Sequence, residues 1–92
     1  MLDKQTDPVA WFLLMDELKD TQDAINTLPR DANNESEYGE EGFRVDMAHA
    51  FMHLNRAWHC RNATLEQHEN NAIGGKWAQY PTDLDPLNSS GL

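Results

Sequence analysis

A single cysteine, Cys60, is all the chain carries, so no disulfide can form within it. A small chain of that kind reads as an intracellular protein of a reducing compartment, with the cytoplasm as its expected location. Long apolar runs are missing too. The start, Met1-Leu2-Asp3-Lys4, shows no basic region followed by an apolar stretch, so neither a signal peptide nor a membrane span is expected. Basic residues are scarce: 7 Lys and Arg stand against 16 Asp and Glu, for a formal net charge of −9. Residues 1–46 hold 12 acids against 4 bases, and residues 47–92 hold 4 against 3. A nucleic-acid binder needs a basic stripe to displace counterions from phosphate, and the second half offers only Arg56, Arg61 and Lys76. Direct binding to nucleic acid or to an anionic membrane is therefore not expected. Complete catalytic signatures are lacking as well. There is no CxxC or HExxH pattern, Gly74-Gly75-Lys76 lacks the rest of a phosphate loop, and no segment repeats.

What remains is a lean chain of 92 residues, 39% hydrophobic, with a mean hydropathy of −0.76. Such a length predicts one small domain, residues 1–92, that buries a modest share of its surface while ordering about 1 to 2 kcal/mol of backbone entropy per residue. Chains near this size recruit a disulfide, a metal or another copy. With one cysteine, self-association leads.

The local signals are helical. Asp7-Pro8 is an N-cap followed by proline at the first helical position, where its missing N–H costs nothing. From there Trp11, Leu14, Leu18, Thr21, Ile25 and Leu28 follow the alternating three-and-four spacing of one helix face. Phe12, Leu13 and Met15 widen the apolar surface at that end. Pro29 disfavours helix at Leu28, which predicts a first helix over about 8–28 and a connecting loop over residues 30–41. A second helix is predicted over about 41–69, with Phe43, Met47, Ala50, Phe51, Leu54, Ala57, Trp58 and Leu65 as its core stripe and Arg61 as the stripe's one polar member. Thr64-Leu65-Glu66-Gln67 also fits a capping box, so a break near Asn62–Ala63 is an alternative. Asn70-Asn71 and Gly74-Gly75 are stop signals, and residues 71–92 read as an extended tail. Trp77, Tyr80, Leu84 and Leu87 within it call for docking on the hairpin or on a partner, with the last residues disordered.

One constellation has chemical character. Asp46, His49 and His53 share a side of the second helix, opposite Phe51 and Trp58. Histidines four apart can chelate one transition-metal ion, with the carboxylate three residues earlier as a third ligand. Cys60 lies too far along the helix to join the same ion. As a nucleophile it would have Arg56 nearby but no organising acid, and no cofactor is expected.

Two helices alone leave an apolar sheet uncovered. The expectation is an all-α fold: an antiparallel helical hairpin, residues 8–70, completed by a second copy into a four-helix bundle. Trp11, Phe12, Met15, Phe51, Trp58, Trp77 and Tyr80 are the candidate interface residues. The functional expectation is a non-enzymatic interaction or regulatory module acting as a homodimer, with a further, unidentified protein as its partner. Two alternatives are a metal-binding protein using the Asp46/His49/His53 face and an acidic inhibitor that imitates nucleic acid, the latter motivated by charge alone.

Overall fold

A computed structural model describes residues 1–85 and 87, with the backbone alone at 72–74. The fold is all-α. Helix α1 spans Pro8–Asn34, α2 spans Glu40–Cys60 and α3 spans Leu65–Gly74, and a single 3-10 turn follows at Lys76–Ala78. Helices α1 and α2 pack as an antiparallel hairpin in which Leu14, early in α1, meets Ala57 and Cys60, late in α2. The expected disorder of the last residues, 88–92, lies outside the described residues.

Three boundaries differ from the sequence expectation. Pro29 does not end α1 but sits inside it, and the helix runs on to Asn34. The ring removes one backbone donor, yet Ile25, whose carbonyl loses it, is 49% exposed, so water can take the vacant acceptor. The connecting loop consequently shrinks to residues 35–39, an ordinary length between antiparallel helices. The predicted second helix is broken after Cys60. There the capping box wins: Thr64 Oγ1 accepts the Gln67 amide at 3.2 Å, and Gln67 Oε1 accepts the Thr64 amide at 2.9 Å. Helix α3 then continues through Asn70-Asn71, which were expected to stop it, and is capped at Gly75. That glycine adopts the left-handed φ of 66° while its N–H donates to the Asn71 carbonyl.

The short loop is held by Tyr38. Its hydroxyl donates to Asp46 Oδ2 at 2.9 Å, and its ring lies where a Cβ on Gly42 would come within 3.1 Å. Glycine at 42 thus lets the loop fold back on the first turn of α2. Withdrawal of the hydroxyl from water, with the Asp46 carboxylate beside it, pushes the Tyr38 phenol up to about 12.

The hairpin seam is built from small residues. Ala10, Leu14, Thr21 and Ala24 of α1 face Ala50, Ala57 and Cys60 of α2, with Ala63 closing the end. This corrects the predicted core stripe. Ala50 and Ala57 are buried as expected, but Phe43 (50% exposed), Phe51, Leu54 and Leu65 are not, so α2 is rotated to present its alanines to α1. Small side chains let the helix axes approach, and Leu14 is the one large aliphatic side chain fully enclosed at the seam. With a radius of gyration of 15.5 Å, against about 12 Å for a compact domain of this length, the chain is elongated.

The tail docks on α2 of its own chain. Asn55, 6% exposed, donates Nδ2–H to the Ala78 carbonyl at 3.1 Å, and His59 Nε2 donates to the Gln79 carbonyl at 3.0 Å. Trp77 packs against the Leu14–Cys60 cluster and meets the His68 ring edge-on at 5.0 Å. At the other end of the chain, the Leu2 amide donates to the Arg61 carbonyl at 2.8 Å and the Leu2 side chain joins the same cluster.

Candidate functional site

Two flanks border the seam. On one, α1 contributes Glu17 and Asp20 while α2 contributes His49, His53 and Arg56. Glu17 Oε1 accepts the His53 Nδ1–H at 2.7 Å, with both side chains 14% exposed, and lies 3.6 Å from Arg56 Nε. His53 Nε2 stands 3.1 Å from His49 Nε2. One ligand atom each from Glu17, Asp20 and His53 falls within 4.8 Å of the others. Of the three residues singled out as metal ligands in the sequence, His49 and His53 are therefore brought together. The Asp46 carboxylate is engaged instead by the Tyr38 hydroxyl. Glu17 and Asp20 were not singled out, because they belong to the other helix and no spacing along the chain relates them to His53.

On the opposite flank an open groove of about 600 Å3 runs between α1, α2 and the tail, lined by Leu14 and Leu18, by Phe51, Leu54 and Trp58, and by Tyr80 and Leu84. A second hollow, bordered by Phe43 and Met47, shares Phe51 and Tyr80 with it, so one apolar strip extends along the face of α2. The Phe51 and Tyr80 rings stack at 5.5 Å and 59°. Arg61 is the one charged residue in the first groove. Its guanidinium lies 3.7 Å over the Trp58 ring and pairs with Asp83 Oδ2 at 3.3 Å, rather than with an acid of α1. The Trp58 Nε1–H donates to Asp83 Oδ1 at 2.9 Å, and that hydrogen bond, reinforced by Arg61, holds the Asp83 carboxyl below its usual range.

The candidate interface residues divide between these surroundings. Tyr80 (68% exposed) lies in the strip with most of its surface uncovered and Phe51 (36%) with about a third uncovered, whereas Trp58 and Trp77 are partly buried within the chain. Trp11 is half-buried; Phe12 and Met15 are exposed.

Behind the seam, Cys60 is 2% exposed, and its thiol is pushed up to about 11 by burial and by the nearby Glu17 carboxylate. It stays protonated at neutral pH, the opposite of what a reactive thiol needs. A hollow of about 40 Å3 separates it from His68, whose Nε2 is buried without a hydrogen-bond partner; burial lowers the His68 pKa from its ordinary value. Among the described residues, no helix is long and apolar enough to cross a membrane. No protein family, curated protein or solved structure matches this chain.

Proposed function

We propose that the protein is a small non-enzymatic interaction module of the cytoplasm. Two copies of the hairpin join through the apolar flank into a four-helix bundle and present their acidic outer faces to a further protein. The observation that carries this reading is the uncovered strip of Leu18, Phe51, Leu54, Tyr80 and Leu84 beside a seam made mainly of alanine. Full withdrawal of an aliphatic or aromatic side chain from water contributes about 1.5 to 3 kcal/mol, so the partly exposed residues of the strip still have a share of that burial to gain from a partner. Charge favours the same face. With a net charge of −9, two copies would repel through most orientations, but the groove has no carboxylate in its lining; Glu40 and Glu41 border only the adjoining hollow, and Asp16 and Asp23 stand exposed elsewhere.

Light scattering on a sizing column tests the reading. The expected mass is twice 10.5 kDa, reduced to 10.5 kDa by Leu54→Asp with helical circular dichroism retained. A monomeric wild-type chain at tens of micromolar would overturn the bundle.

A further inference from the structure

We propose that the polar flank is a binding site for a divalent metal ion of the zinc type, in which His49 Nε2 and His53 Nε2 are the two nitrogen ligands, Asp20 the oxygen ligand, and Glu17 the residue that positions His53. The inference is independent of the dimer, since this cluster lies across the seam from the apolar groove.

The hydrogen-bond geometry assigns the roles. Glu17 is 2.7 Å from His53 Nδ1, and a carboxylate can only accept, so the imidazole proton sits on Nδ1. In the neutral ring the lone pair is then on Nε2, the atom that faces His49 Nε2 at 3.1 Å. Two nitrogens bound to one tetrahedral ion at about 2.0 to 2.1 Å stand about 3.3 Å apart, so the two rings need only a small outward movement to admit the ion. His49, exposed to solvent, accommodates it by carrying its own ring proton on Nδ1, with no proton gained or lost. A carboxylate holding the far nitrogen of a metal-ligating histidine is the usual way a protein fixes the tautomer and raises ligand basicity. The Glu17–His53 contact has that form before any ion arrives.

Asp20 follows Glu17 by one helical turn. In the antiparallel hairpin Glu17 is level with His53, so Asp20 is level with His49, one turn earlier in α2. The 4.8 Å grouping of Glu17, Asp20 and His53 brings an Asp20 oxygen near His53 but does not include His49, so Asp20 and the exposed His49 side chain must turn toward each other to share the ion. Two nitrogens, one oxygen and a water complete four-coordination. Nitrogen and oxygen donors without thiolate suit zinc, cobalt or nickel, and the absence of a cage of carboxylates and carbonyl oxygens disfavours calcium and magnesium.

The test is titration of the full chain with Co2+, read by its visible absorption, and with Zn2+, read by calorimetry. One ion per chain is expected. His49→Ala, an exposed substitution that leaves the seam intact, should reduce affinity by at least 100-fold. Asp20→Asn should lower it by a smaller factor, and Glu17→Gln by about 10- to 100-fold. Glu17→Asp, which keeps the carboxylate, should recover part of that loss. Wild-type affinity no higher than that of His49→Ala, at unchanged helical circular dichroism, would overturn the site and leave Glu17–His53 as an interhelical hydrogen bond alone. So would an affinity that the Glu17 and Asp20 substitutions do not change.

Discussion

On one side of the α1–α2 seam stand Glu17, Asp20, His49 and His53; on the other stand Leu18, Phe51, Leu54 and Tyr80. Both flanks come from the same two helices, yet they reach different degrees of completion within one chain. Glu17 and His53 find directional partners across the seam, because hydrogen bonds between two helices need only two well-placed groups. The apolar flank cannot finish in that way. Burial is non-directional and scales with area, and the tail covers only part of the strip, through Tyr80, Pro81 and Leu84. A hairpin can thus be specified on its polar side and remain open to a partner on its apolar side.

The comparison rests on the seam both flanks share, and the largest effect is expected there. Leu14→Ala should cost about 2 to 5 kcal/mol, because Leu14 is 3% exposed and the surrounding alanines cannot refill the space. Thermal unfolding followed by circular dichroism reads this as loss of most of the transition. Next comes a charge placed on each side of the groove's edge. Leu18→Asp, inside the groove, should halve the mass in solution, while Phe12→Asp, at a more exposed position outside the lining, should leave it unchanged. Equal behaviour of the two would erase the distinction between flank and general surface. On the polar side, Glu17→Gln should lower stability by about 1.5 to 3 kcal/mol in denaturant titration without altering the mass.

The smallest effects are those of pH. The Asp83 carboxyl is held low by Trp58 and Arg61, so its contribution is complete above the usual carboxylate range and is lost as pH falls through the lowered value. Trp58 fluorescence should then report release of the tail, and Asp83→Ala should release it at neutral pH. His68 is also lowered: the unfolded chain takes up its proton near pH 6.5 while the folded chain resists, so stability falls as pH drops below that value. His68→Gln should remove this upper step and leave the Asp83 step in place.

Local chemistry was legible in the sequence. Asp7-Pro8, the Thr64–Gln67 box and Gly75 mark helix ends because the signal and its effect lie within a turn of each other. Even so, Asp7 caps α1 by position alone, its carboxylate taking a hydrogen bond from the Thr6 hydroxyl instead of from the helix. The all-α class and the hairpin were legible for the same reason. The rotation of α2 was not. Periodicity selects the most apolar stripe, which runs through Phe51, Leu54 and Trp58, whereas closest packing selects the smallest, and Ala50 and Ala57 belong to both. Pro29 misleads because the cost of a proline depends on whether the orphaned carbonyl reaches water, a fact of tertiary exposure. Half of the polar flank was legible, as His49 and His53 are one turn apart. Glu17 and Asp20 could be joined to them only once the register of two helices was known.

Gly42 carries a practical consequence for anyone engineering this chain. By helix propensity alone, Gly42→Ala in the first turns of α2 looks like a stabilising change of up to about 1 kcal/mol. The added methyl would sit 3.1 Å from the Tyr38 ring, so the ring must give by a few tenths of an ångström while its hydroxyl is tied to Asp46, and the net effect depends on whether it can. A design programme that scores each helix in isolation would choose this substitution early without weighing that contact.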